Sequence, residues 1–118
     1  MRAHLKNPVD VSLSAHFDLD IFEESARTVA ADPGVDAIVV IGSGLTPEDN
    51  QIFVDNMIRL QRECSKPLIM VKIPVFDPRF SRQFCEAGLP FFDSAERAIH
   101  TYALVYRYQQ WRMRQTGI

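Results

Sequence analysis

Cysteine is scarce in this 118-residue chain: Cys64 and Cys85 are the only two, and neither belongs to a CxxC pair or a Cys/His cluster. That spacing excludes the disulfide framework of a small secreted domain and a zinc site of ordinary ligand pattern. Both fall in segments of helical pattern beside apolar residues, so both are expected to be small buried thiols, as suits a reducing cytoplasm. Long apolar runs are lacking as well. Nothing approaches the ~20 residues that span a bilayer, and the opening MRAHLKNPVD has no apolar centre of a signal peptide. Neither sign of charge prevails, with 13 Lys and Arg against 15 Asp and Glu. The balance gives no electrostatic ground for a nucleic-acid or membrane partner. There is no block of like charge, internal repeat, low-complexity tract or linker. What remains is a 47% apolar composition, enough for the core of a single domain over residues 1–118.

The apolar residues are periodic. FDLDIFEESARTVAADPG places Leu19, Phe22, Ala26, Val29 and Ala30 on one helical face. Asp18 or Asp20 suits its start, and Pro33-Gly34 its stop. Val35–Ile41 is almost wholly apolar and β-branched, which predicts a central parallel strand covered on both faces. Thr46-Pro47-Glu48-Asp49 opens a second helix, with Thr46 as N-cap, Pro47 in the first position and Asp49 closing a capping box. Phe53, Met57, Leu60 and Cys64 form its buried stripe. Leu68–Ile73 predicts the next strand, and Arg79 to Ala87 a short helix ending at Gly88. Leu89–Phe92 predicts a third strand, with Pro90 at its start or on a sheet edge. The last helix follows Asp93-Ser94 and runs to about Arg114, its inner face formed by Ala98, Ile99, Tyr102, Val105 and Tyr106. Helix–strand alternation of this kind specifies an α/β three-layer sandwich around a parallel sheet with right-handed crossovers.

Candidate chemistry is sparse. Gly42-Ser43-Gly44-Leu45-Thr46-Pro47 follows a strand, yet proline stands where a dinucleotide fingerprint needs its third glycine. A P-loop lysine followed by Ser or Thr is missing, and Glu48 and Asp49 would repel a phosphate from the helix start. The turn therefore reads as a bend between strand and helix. Ser14, His16 and Asp18 could be assembled into a triad, but such groups normally converge from separate elements. His4 lies near the terminus, and His100 is expected to be partly exposed. Asp18, Asp20, Glu23 and Glu24 read as an acidic helix start more readily than as metal ligands. Lys72 is a cation in an apolar strand, placed to snorkel at its end, pair with an acid or meet an anionic ligand. The basic, aromatic tail from Tyr106 to Arg114 reads as the solvated end of a packed helix. No catalytic, cofactor-binding or metal-ligating residue is assigned.

Asn7-Pro8-Val9-Asp10, Asp32-Pro33-Gly34-Val35-Asp36-Ala37-Ile38-Val39-Val40-Ile41 and Lys66-Pro67-Leu68 resemble the NDP-forming acyl-CoA synthetases. Ala87–Phe92, Ser94–Ala98 and Tyr106-Arg107-Tyr108-Gln109-Gln110 continue the resemblance. Those enzymes are the ADP-forming acetate–CoA ligases and relatives of succinyl-CoA synthetase. The resemblance implies a succinyl-CoA-synthetase-like, flavodoxin-like domain, truncated at its N-terminus. It also implies an enzyme that joins acid and CoA at the expense of a nucleoside triphosphate, through an acyl phosphate and a phosphohistidine. The family's Ser-His-Thr-Gly segment, CoA-binding domain and ATP-grasp domains do not occur in this sequence, so no site residue carries over. CoA and ATP or ADP are thus expected of the complete enzyme and not of this chain. In the implied strand order 2-1-3-4-5, the strand beside Val35–Ile41 would lie upstream. Its absence implies an open edge, filled by other synthetase domains or subunits, by a second copy, or in part by Val9–Val11. A cytoplasmic protein with neither nucleic acid nor membrane as partner is expected.

Overall fold

A computed structural model describes residues 7–11, 18–73 and 77–117. Among them, four helices alternate with three strands: α1 (Leu19–Ala31), β1 (Ile38–Ile41), α2 (Pro47–Glu63), β2 (Leu68–Val71), α3 (Pro78–Glu86), β3 (Phe91–Phe92) and α4 (Ala95–Gln115). The strands form one parallel sheet in the order β1-β2-β3. Ile38 lies opposite Leu68 and Ile41 opposite Val71, while Met70 and Val71 meet Phe91 and Phe92. The α/β class, the parallel sheet and the alternation of elements are those the periodicity predicts.

Each helix start has a local cause. Asp18 accepts from the Asp20 N–H at 3.1 Å, Thr46 from Asp49 at 3.0 Å, Asp77 from Arg79 at 2.8 Å and Ser94 from Arg97 at 3.2 Å. These bonds satisfy donors that the first turn leaves without intrahelical partners. Pro47 and Pro78 stand in first turns, where a missing N–H costs nothing. At the end of α3, Gly88 takes φ of 85°, the left-handed value a helix stop requires.

Alternation along the strands divides the sheet into two faces. One presents Ile38, Val40, Leu68, Met70 and Phe91 to α1, α2 and α3, where Ala26, Phe53, Val54, Met57, Leu60, Phe80 and Phe84 complete the core. Phe22 meets Phe53 edge-on at 5.3 Å, Phe53 meets Phe84 edge-on at 6.1 Å, and Phe84 stacks on Phe91 at 6.1 Å. The rings thus tie α1, α2, α3 and β3 together, each burial worth about 1.5–3 kcal/mol. Among the described residues, the other face is covered by α4 alone: Ile69, Val71, Val39 and Phe92 pack on Ala95, Ala98 and Tyr102.

Several expectations are corrected. Val35–Ile41 was expected to be a central strand covered on both faces; among the described strands β2 is the central, fully buried one and β1 lies at the edge, the open edge that the resemblance implied, with Ile41 55% exposed. A uniformly apolar run does not distinguish a covered strand from one awaiting cover. All three strands are also shorter than the apolar runs that encode them. Past Tyr102, α4 leaves the sheet. Ile99, Val105 and Tyr106, all expected on its inner face, are 57%, 58% and 48% exposed. At about 31 Å, the helix outruns strands of about 13 Å. The radius of gyration, 15.0 Å, exceeds the roughly 13.5 Å of a compact chain of this length, as a projecting helix requires. Cys64 is half-buried and Cys85 exposed, so the two thiols do not both belong to the core.

Candidate functional site at the carboxyl ends of the strands

Open parallel sheets bind ligands beyond the carboxyl ends of their strands. Here that end comprises the Gly42–Gly44 turn, Lys72 and Ile73 after β2, and the first turns of α2 and α3. A Cβ on Gly44 would stand 2.4 Å from the Asp49 Cβ and 2.5 Å from its backbone carbon. Glycine is therefore required by the close approach of the turn to α2. The Gly44 N–H donates to Asn50 Oδ1 at 2.8 Å, and the Ser43 hydroxyl to the Gly44 carbonyl at 3.0 Å. A Cβ on Gly42 would meet the Phe22 ring at 2.9 Å. The Gly44 amide and the space around Gly42 and Gly44 are thus spent on packing α1 and α2 against β1, in a strand-to-helix bend such as the sequence predicts. Asn50, which completes this arrangement, was not foreseen; its only signal was an amide one turn inside a capped helix.

Between α2 and α3 lies a shallow cleft of about 320 Å³, lined by Pro47, Glu48, Gln51, Arg79, Phe80 and Gln83. The amides of Gln51 and Gln83 bond each other reciprocally at 2.7 and 3.1 Å. Arg79 donates from Nη2 and Nε to Asp77 Oδ2, at 2.9 and 3.1 Å. These bonds lower the Asp77 pKa and raise that of Arg79. Lys72 is exposed just past β2, and its N–H donates to the Phe92 carbonyl at 2.8 Å.

The acidic start of α1 divides its labour. Asp18 caps the helix, while Glu23 turns inward, its side chain 13% exposed, to meet Arg27 at 3.0 Å and Arg59 at 2.9 Å. Burial alone would raise the Glu23 pKa. Hydrogen bonds from Arg59 and Arg27 outweigh it and hold the carboxyl below its ordinary value. Arg27 also pairs with Glu63, and Arg59 donates to the buried Asn56. The cluster fastens α1 to α2. No group of three or more His, Cys, Asp or Glu able to hold a metal occurs among the described residues. Of the Ser14–His16–Asp18 combination, Ser14 and His16 lie outside the described residues, as does His4, and Asp18 is a helix cap. His100 is exposed on α4. No described helix is long and apolar enough to cross a membrane. Comparison with family models, curated proteins and solved structures finds no match for this chain.

Proposed function

We propose that this chain is a domain or subunit of an NDP-forming acyl-CoA synthetase, inactive alone, working in the cytoplasm beside the parts that hold CoA and the nucleotide. The observation that carries the reading is the sheet itself: three consecutive parallel strands ending in an apolar β1 whose outer edge pairs with no described strand. Such an order is what strands 3-4-5 of a flavodoxin-like sheet would have if the first strand came from elsewhere, as the resemblance implies. The partners of this reading are other synthetase domains or subunits, or a second copy at the same edge. CoA and ATP or ADP belong to the assembled enzyme.

A second reading is a stand-alone flavodoxin-like binding or assembly module without catalysis. It draws on the inward use of polar groups at the carboxyl end, where the Gly44 amide, the Gln51–Gln83 pair and Arg79 are all engaged within the chain.

A pull-down from the native source tests the first reading. It expects chains with CoA-binding and ATP-grasp domains to co-purify, and the reconstituted mixture to consume CoA thiol in an acid- and nucleotide-dependent way. The chain alone should be silent. Turnover by the chain alone overturns both readings, and co-purification of unrelated chains only overturns the first.

A further inference from the structure

The apolar stripe that seats α4 on the sheet does not stop where the sheet stops. Ala98 and Tyr102 pack on Ile69 and Val71. At helical spacing the same stripe continues through Val105, Tyr106 and Met113, which are 58%, 48% and 43% exposed. A surface that continues the stripe must therefore continue the sheet. Alternation along β1 places exposed Ile41 on the face that α4 covers, beside half-buried Val39. The Ile38 N–H donates inward to the Pro67 carbonyl, so by the two-residue repeat of the ladder the N–H groups of Val39 and Ile41 point to the open edge. That edge carries no proline, lysine or bulge to discourage pairing.

We propose that two copies of this chain pair antiparallel through the outer edges of β1, each projecting α4 lying over the partner's exposed Ile41. The helix follows β3 after two residues, Asp93 and Ser94, and packs on all three strands; leaving from their carboxyl end, it must turn back over the sheet to do so, which carries its second half to their amino ends. A two-fold axis through the paired edges brings the carboxyl end of the partner's β1 to that place and keeps both α4 helices on one face. Charge favours a second copy as occupant. Past Ala103 there are three arginines, Arg107, Arg112 and Arg114, and no acid, leaving ten basic against 15 acidic residues in the remainder. Arm thus meets body with opposite sign, whereas arm against arm would set arginines together. The proposal deepens the second-copy form of the reading above and is separable from synthetase chemistry: a monomer overturns the pairing and leaves the pull-down outcome untouched.

Sedimentation equilibrium of the whole chain at about 100 μM, a concentration at which even a micromolar Kd gives mostly dimer, is expected to return twice the chain mass. Ile41→Asp and Tyr106→Asp, both at exposed positions, should each return the single mass while keeping the far-UV circular dichroism of the parent. A monomeric parent, or a dimer indifferent to either variant, overturns the proposal. A photoreactive p-benzoylphenylalanine in place of Tyr106 gives a reading that needs no destabilised variant. In a mixture of ¹⁴N and ¹⁵N chains, irradiation should link position 106 of one copy to residues 38–45 of the other. A link elsewhere, within one copy, or none overturns the placement.

Discussion

Gly44 and Gly88 are both glycines at turns, and they are needed for opposite reasons. At Gly44 an added Cβ meets fixed atoms of Asp49, its backbone carbon among them, at 2.5 Å or less. Gly44→Ala should cost about 2–3 kcal/mol, through forced separation of the turn from α2. At Gly88 the space is open and only the backbone, at φ of 85°, resists a side chain. Gly88→Ala should cost about 1 kcal/mol, and urea denaturation midpoints of the two variants will rank them. Glu23 makes the third residue-scale case. Its folded pKa lies below the ordinary 4.5, so its contribution is present above that value and lost as the pH falls through the folded pKa. Thermal unfolding between neutral pH and pH of about 3 should show this loss. Glu23→Gln should lower stability at neutral pH by about 1–2 kcal/mol and flatten the acid limb. A parallel shift of the whole curve would remove Glu23 as its source. The sequence disclosed that an acid belonged at the start of α1. It did not disclose which acid would turn inward, because Arg59 and Glu63 reach Glu23 and Arg27 from α2, 36 residues away.

Among the elements, α2 and α4 show how far periodicity reaches. The spacing of Phe53, Met57 and Leu60 named a buried stripe, and all three are at most 2% exposed. Phe84 on α3, which the periodicity did not single out, is fully buried between Phe53 and Phe91 as well. Phe84→Ala should destabilise by about 3–5 kcal/mol. Leu104→Ala, on a half-exposed side chain of α4, should change monomer stability by less than about 0.5 kcal/mol. Chemical denaturation at low protein concentration separates the two. The reading failed on α4 for a reason visible in the fold. Its apolar spacing persists from Ala98 to Met113, but spacing carries no record of where the sheet beneath ends. It failed on β1 similarly, since continuous apolar character is the same whether a neighbour lies within the chain or beyond it. At the glycine turn the bend itself was legible, because the Thr46 cap and Pro47 start α2 directly after it.

For the whole molecule, the body and its projecting helix are separable in sequence. A chain ending after Ala103 keeps Ala95, Ala98 and Tyr102 on the sheet. It should unfold cooperatively, while losing the dimer measured by sedimentation. Because the proposed contact sets basic arm against acidic body, the dimer Kd of the intact chain should rise several-fold as salt increases from about 50 to 500 mM. A salt-independent Kd would refute that charge arrangement. The strand order has a consequence of another kind. Each strand pairs with the next one along the chain, and each crossover helix packs beside its own strands. Among the described residues no strand pairing waits for a distant terminus, so sheet growth can keep pace with synthesis from the amino end, and α4 closes the second face last. Each pairing spans a single helical crossover, 30 residues from Ile38 to Leu68 and 21 from Met70 to Phe91, which limits the loop-closure entropy that makes parallel sheets slow.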